Sequence, residues 1–185
     1  TDSINGRGGI YQVGETLRKR LSDMGVNAIL DKTSHNPHDV NAYNRSRRTA
    51  TKLLKQGAVG LIDVHRDAVP ADVYGTKVNN EKVTKVKLVV GKQNPHMSSN
   101  LEFAKKIKAH LDKEHPGLSA GIFMGKGSYN QDLSPRAILV EVGSHTNSKE
   151  QAKNGVKLFA EAVPDVFGVE DEGKGDATPL VNVSA

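Results

Sequence analysis

The residue that most suggests chemistry is a histidine at the end of a short apolar run. His65 closes the run Gly60–His65 and is followed at once by Arg66 and Asp67. A neutral imidazole in this position can bind a metal while Asp63, Asp67 or a backbone carbonyl accepts its other N–H. A histidine that only hydrogen-bonds a loop carbonyl fits the same position, so both interpretations stay open.

A glutamate is the second such residue. Glu141 lies in Ala137–Val142, where five of the six residues are apolar. An ionised carboxylate is seldom fully buried unless it is paired. Glu141 is therefore either half of a structural ion pair with Arg136, Arg66 or a lysine, or a general base or acid beside a metal-bound water.

The elements that position these residues follow from the hydrophobic pattern. Short apolar runs predict strands at Val26–Leu30, Gly60–His65, Val83–Val90, Gly121–Met124 and Ala137–Val142. Helical spacing predicts helices near residues 13–24, 42–56 and 100–111, and another after Ser148. Alternating strands and helices favour an α/β fold with a mostly parallel central sheet and helices on both faces.

In such a sheet, ligands bind outside the carboxyl ends of the strands. His65 and Glu141 both fall near such ends, so we expect them to converge on one pocket. Asn130 and Gln131 follow a glycine-rich segment and lead into the Glu141 strand. Their amides are candidates for hydrogen bonds with a peptide substrate.

Composition narrows the classes of partner. The net charge is +5, but the lysines are spread along the chain and only four Tyr, four Phe and no Trp are available to stack on bases. The densest basic cluster, Arg45 to Arg48, lies at the start of a predicted helix. The charge therefore favours solvated faces or a polyanionic wall polymer over nucleic acid. The absence of cysteine excludes a thiol nucleophile, a Cys-based zinc site and disulfides.

The chain length suits one domain. We predict an N-terminal loop at residues 1–10, the functional domain at 11–168, and a disordered tail or linker at 169–185, which is rich in Glu, Asp, Gly and Lys. No apolar run approaches the roughly 20 residues of a membrane span. Because the first residue is Thr, we interpret the chain as a fragment whose targeting or anchoring segment lies outside it.

Four motifs in this order, "YNRSR", "DVHRD", "YNQDLSP" and "ILVEVGSHTN", carry a family resemblance. With them, the chain resembles the stage II sporulation protein P family and, more distantly, the zinc-dependent N-acetylmuramoyl-L-alanine amidases. The resemblance covers about Tyr11 to Phe167.

The resemblance implies a zinc hydrolase of peptidoglycan that cuts the bond between N-acetylmuramic acid and L-alanine, and also stem-peptide cross-links. His65 then matches a zinc ligand and Glu141 the catalytic glutamate, while Arg66 is a candidate to steady the oxyanion. It further implies action outside the membrane at the sporulation septum during engulfment, anchoring in the full-length protein, and sporulation stage II proteins D and M as partners.

One departure from the family pattern matters most. The first zinc histidine of the family precedes the equivalent of Thr1, so the fragment is expected to lack one ligand and to be inactive. Glu15 and His35 are the candidate substitutes, and His145 could approach the site, whereas His38 has no assigned role. The competing interpretations are a non-catalytic wall-binding module and a phosphoesterase that uses Asp63, His65 and Asp67.

Overall fold

A computed structural model describes residues 9–37 and 39–167 and the backbone of residues 178–183. In chain order, its elements are α1 (Gly9–Asp23), β1 (Ile29–Asp31), α2 (Ala42–Lys55), β2 (Ala58–Asp67), β3 (Gly75–Val78), β4 (Glu81–Thr84), β5 (Val86–Gly91), α3 (Met97–Glu114), β6 (Ser119–Gly125), β7 (Ala137–Ser144), α4 (Lys149–Ala160), α5 (Ala162–Phe167) and β8 (Thr178–Val183). Two short 3-10 turns lie at Ala71–Val73 and Gln131–Leu133.

Six strands form one sheet in the order β1-β8-β2-β7-β5-β6, and β3 and β4 form a separate hairpin. All neighbours in the large sheet are parallel except β5 and β7, which are antiparallel. The prediction of a mostly parallel α/β sheet is confirmed. Because β5 and β6 run opposite to the other strands, their amino ends lie at the edge where β2 and β7 end.

Helices cover the two faces of the sheet unequally, which also confirms the prediction of helices on both sides. The main core is built on one face from residues such as Ile62 and Val140, packed with side chains of α1, α3, α4 and α5. On the other face, Ala50 and Leu53 of α2 pack with Leu61 of β2 in a smaller cluster. Burial of one such aliphatic side chain contributes roughly 1.5–3 kcal/mol. Strand alternation places Asp63 and His65 on this second face, beyond the α2 contact.

The predicted strand Val83–Val90 is wrong in one respect, since it is divided between the hairpin and the large sheet. Lys85 separates β4 from β5, and its N–H donates to the Tyr74 carbonyl. Val83 and Val86 are both buried on either side of the break, so the apolar pattern gives no sign of it. The third helix also begins earlier than predicted, at Met97.

The prediction of a disordered tail at residues 169–185 is corrected for Thr178–Val183. This segment is β8, which pairs in parallel with β1 on one side and β2 on the other. Both edges of its backbone can therefore form ladder hydrogen bonds, which stabilise a segment that the composition alone would leave unfolded.

The predicted loop at residues 1–10 is also corrected at its end, since residues 9 and 10 start α1. Residues 1–8, His38, 168–177 and 184–185 lie outside the described residues. Within the described part of the chain, no helix is long and apolar enough to cross a membrane.

Candidate active site

The site is built where β2 and β7 run side by side. His65 on β2 is the register partner of Glu141 on β7. Neighbouring strands lie about 4.8 Å apart, and paired residues project from the same face. The structure therefore brings the two predicted residues together, on one face and near the carboxyl edge of both strands.

Asp63 orients the His65 ring. Its Oδ1 lies 3.2 Å from His65 Nε2, and the two residues are separated by one position on β2. Burial acts to lower the pKa of His65, but the negative charges of Asp63 and Glu141 outweigh it, so this pKa lies above its ordinary value. A carboxylate that holds one ring nitrogen leaves the other to face the cleft, as in histidine ligands of metals.

Glu141 has the protonation behaviour expected of a general base or acid. Burial is the main reason that its pKa is raised to about 7; His65 and Lys87 oppose this rise, and Asp67 and Asp63 add to it. Its Oε2 atom is buried and has no hydrogen-bond partner among the described residues. A buried, unpartnered carboxylate oxygen calls for a water or substrate proton at this point.

A lysine that the sequence did not single out completes the polar part of the site. Lys87 on β5 is the register partner of Glu141 on its other side. Its Nζ donates to Asp67 Oδ2 at 2.5 Å, and the Tyr74 hydroxyl donates to the same oxygen at 2.8 Å. Lys87 escaped notice because it lies near the amino end of an antiparallel strand, whereas the search considered carboxyl ends. A lone lysine between two apolar residues was the available signal.

Aromatic side chains border this cleft. The rings of Tyr43 and Tyr129 meet edge to face with their centroids 5.6 Å apart. Burial raises the pKa of Tyr43, and the nearby charges of Asp63 and Glu141 raise it further. Phe123 on β6 is 54% exposed and lies under the Lys87 ammonium, 5.8 Å from ring centroid to Nζ. None of the three was predicted, because each is an isolated aromatic residue in the sequence.

Arg66 does not contribute to the cleft, which corrects the prediction that it binds substrate. Strand alternation turns it away from the face that carries His65. Its Nη2 donates to the carbonyls of Ser144 and Asn147 at 2.5 and 2.7 Å. Arg66 therefore braces the turn between β7 and α4.

Asn130 and Gln131 also have structural partners. Asn130 Nδ2 donates to the Tyr43 carbonyl and to Ser46 Oγ of α2 at 3.2 and 3.0 Å. Gln131 is 1% exposed; its Nε2 donates to the Val89 carbonyl, and its Oε1 accepts from the Gly91 N–H. Their predicted role in binding substrate is corrected, since both amides hold the loop against α2 and β5.

The candidate substitute ligands have contacts of their own. His35 is buried with Nε2 2.9 Å from Thr49 Oγ1, and burial lowers its pKa. Glu15 pairs with Arg18 and Lys32 on the surface of α1. His145 is exposed, and its Nδ1 lies 3.1 Å from the Asp67 carbonyl. These contacts do not join any of the three to His65.

The described residues fit a zinc ion only in part. His65, oriented by Asp63, supplies one ligand, whereas a catalytic zinc normally needs three from the protein. Across residues 9–37 and 39–167, no group of three or more His, Cys, Asp or Glu side chains could hold a metal ion. The predicted phosphoesterase cluster of Asp63, His65 and Asp67 is therefore not formed, because Asp67 binds Lys87 instead.

Solved structures with this fold are amidases. One is the CwlD amidase from Clostridioides difficile, in complex with the GerS lipoprotein, with a TM-score of 0.59, 14% identity, and coverage of 87% of this chain and 86% of that one. Another is the catalytic domain of CwlV, an N-acetylmuramoyl-L-alanine amidase from Bacillus (Paenibacillus) polymyxa var. colistinus, with a TM-score of 0.57, 14% identity, and coverage of 87% and 84%. The class of fold is thus that of the amidase domains.

Sequence comparison narrows the class to one family. Residues 1–164 match the family described as Stage II sporulation protein P, and the chain belongs to that family. The Stage II sporulation protein P of Bacillus subtilis (strain 168) is 29% identical over 171 residues, which cover 84% of this chain and 42% of the relative. The chain therefore spans less than half the length of this relative.

Proposed function

We propose that the protein is a peptidoglycan hydrolase that cleaves the amide bond between N-acetylmuramic acid and the L-alanine of the stem peptide. The observation that carries the proposal is the pairing of His65 with Glu141, whose Oε2 atom is buried and unpartnered among the described residues. The amidase fold and the family membership support the same class of reaction.

Glu141 moves the proton in the proposed reaction. Its raised pKa, about 7, lets the carboxylate take a proton from an attacking water near neutral pH and return it to the leaving amine nitrogen. Lys87 faces the same point from β5, so its ammonium can stabilise negative charge that develops on the scissile carbonyl oxygen. Tyr43 and Phe123 border the cleft and can exclude water from part of the substrate.

Zinc dependence is a further part of the proposal. His65 would hold the ion, and zinc supplies a Lewis acid and lowers the pKa of a bound water. The described residues leave the ligand set incomplete, which agrees with the expectation that the family's first zinc histidine precedes Thr1. Asp63 would keep the His65 ring in the orientation that binding needs.

The setting proposed for this activity is the sporulation septum during engulfment, outside the membrane. Family membership supports this setting. Cleavage of stem-peptide cross-links and cooperation with sporulation proteins D and M belong to the same proposal and have the same support.

The test compares Glu141→Gln with the unchanged protein, both extended upstream of Thr1 and supplied with zinc. We expect the unchanged protein to release stem peptides from purified sacculi, and the variant to lose about 10²-fold or more of this activity because its amide cannot accept the proton. Glu15→Gln, a change at a surface carboxylate of α1, is the matched control and should keep full activity. Activity that survived Glu141→Gln would refute the proposed role.

Unfolding of the variant can be separated from loss of chemistry. Burial raises the pKa of Glu141 from 4.5 to about 7 in the folded protein. The folded state therefore holds this proton more tightly than the unfolded state, and the associated stability is lost as the pH rises through about 7. Glu141→Gln removes an ionised, buried group, so we expect it to be at least as stable as the unchanged protein at pH 8.

The incomplete ligand set favours one second candidate, a non-catalytic wall-binding module. Such a protein would sediment with sacculi and release no stem peptide, whether or not the chain is extended upstream and supplied with zinc. Elemental analysis of both forms separates the two functions, because the hydrolase predicts one zinc per chain in the extended form and the module predicts none.

A further inference from the structure

The helix α2 differs from the other helices in its charges. Its sequence, Ala42–Lys55, contains five basic residues and no acidic one. In α1, α3 and α4, basic side chains pair with acidic ones three or four residues away, for example Lys19 with Asp23 and Lys153 with Glu150. On α2, no such neutralising pair can form within the helix.

Three cations on the outer face of α2 are available to a ligand. Arg48 and Lys55 are exposed and form no ion pair with any residue that the structure describes. Lys52 is 64% exposed, and its nearest carboxylate, on Asp31, is 3.4 Å away. Arg47 is different, because Asp132 neutralises it through two hydrogen bonds at 2.9 and 2.7 Å.

The three cations lie along one stripe. Their spacing of four and three residues puts them on one face of the helix. Together with Asn44, Thr51 and Gln56, they line an open groove of about 940 Å³ that contains no acidic side chain. The helix dipole favours Lys52 and Lys55 near the carboxyl end, but it explains neither Arg48 nor the absence of acidic residues.

The same helix borders the cleft. Tyr43, one residue before Asn44 of the groove, lies close enough to Asp63 and Glu141 for their charges to raise its pKa. Asn130 ties the loop beside the cleft to this end of α2. The groove therefore extends over roughly 18 Å, one helix of twelve residues, away from the point where substrate would be cut.

We propose that the outer face of α2 binds a phosphodiester polymer of the cell wall. A polymer with regularly spaced phosphates meets Arg48, Lys52 and Lys55 in turn, and the planar guanidinium of Arg48 can hold one phosphate through two hydrogen bonds. This inference rests on the proposed function, since a wall hydrolase meets such a polymer beside its peptidoglycan substrate. The polymer would keep the protein on the wall while the cleft engages successive stem peptides.

The experiment measures binding of purified poly(glycerol phosphate) to the protein at 50 to 200 mM salt. We expect affinity to fall as salt rises, because binding releases counterions. The triple variant Arg48→Gln, Lys52→Gln, Lys55→Gln should bind about tenfold more weakly or worse, with a smaller salt dependence. The matched control neutralises three exposed lysines of α3, Lys105, Lys106 and Lys113, and should bind as the unchanged protein does.

Several results would overturn the inference. Equal loss of binding in both triple variants would mean that net charge acts rather than α2. Tighter binding of duplex DNA at the same phosphate concentration would assign the face to nucleic acid, and no binding to either polymer would remove the site. If the triple variant does not fold, the double variant Arg48→Gln, Lys55→Gln tests the same face, because neither residue has an ion pair to lose among the described residues. Glu141→Gln should bind the polymer normally, so failure of the hydrolase proposal would be seen separately.

Discussion

Around Glu141, three charged side chains decide when its carboxyl group is ionised. His65 and Lys87 act to lower its pKa, while Asp67 acts to raise it. Lys87 has two roles, because its ammonium faces Glu141 and also neutralises Asp67. Removal of this one cation therefore changes two contributions to the pKa of Glu141, both in the same direction.

We expect Lys87→Met to raise the pKa of Glu141 above its value of about 7. A general base works only when it is ionised, so the rise of activity with pH should move to higher pH by about one unit. Lys87→Arg keeps the positive charge and should leave this part of the profile in place. The measurement is kcat/KM for stem-peptide release against pH in the extended, zinc-supplied protein. An unchanged profile in Lys87→Met would contradict the role of the ammonium.

At the residue scale, the sequence identified side chains whose position follows from strand direction alone. His65 and Glu141 lie near the carboxyl ends of parallel strands, which the hydrophobic runs indicate. Lys87 was missed because strand β5 is antiparallel to β7, and the sequence carries no sign of that direction. Gln131 was misjudged because its partners, the Val89 and Gly91 backbone groups, are about forty residues away in the chain.

Among the elements, α4 and the hairpin strand β4 approach each other unusually closely. Gly155 of α4 lies against the Thr84 backbone, and a Cβ atom at this position would stand well inside van der Waals contact of the Thr84 carbonyl. The helix can pack here only because residue 155 has no side chain. This contact helps to hold the hairpin against the sheet next to β5, which carries Lys87.

We expect Gly155→Ala to destabilise the protein by about 1–3 kcal/mol through overpacking. The sign is diagnostic, because the same change in an open helix stabilises by roughly 0.5–1 kcal/mol. Ser99→Ala, at an exposed position of α3, is the control and should change the free energy of unfolding by less than about 0.5 kcal/mol. Urea unfolding measures both, and a stabilised Gly155→Ala protein would show that α4 and the hairpin are not in close contact.

Element boundaries were predicted well where a local signal exists. Ser148 precedes α4 and accepts the Gln151 N–H at 3.1 Å, as the sequence spacing predicts. The division of Val83–Val90 between two sheets has no local signal, because it depends on contacts such as Lys85 with Tyr74. β8 was missed because its apolar residues follow a strongly polar segment, and only its two distant partners make it a strand.

For the whole molecule, β8 joins β1 to the strand that carries His65. Val181 pairs with Leu30 of β1 on one side and with Ile62 of β2 on the other. We expect Val181→Pro to destabilise the protein by about 3 kcal/mol or more, because proline lacks the N–H that an interior strand needs. Val181→Thr keeps the N–H and serves as the control. Hydrogen exchange should accelerate in β1 and β2 of the proline variant, and unchanged protection there would place β8 outside the sheet.

The position of β8 also sets an order of events during synthesis. The ribosome makes β1 and β2 early, but the strand that lies between them only after about 110 further residues, counted from Asp67 to Thr178. Until residue 183 has left the exit tunnel, β2 can have no neighbour on that side, and the six-stranded sheet stays open. A nascent chain therefore reaches its complete active-site scaffold only at the end of translation, which keeps a wall-cutting enzyme immature while it is still attached to the ribosome.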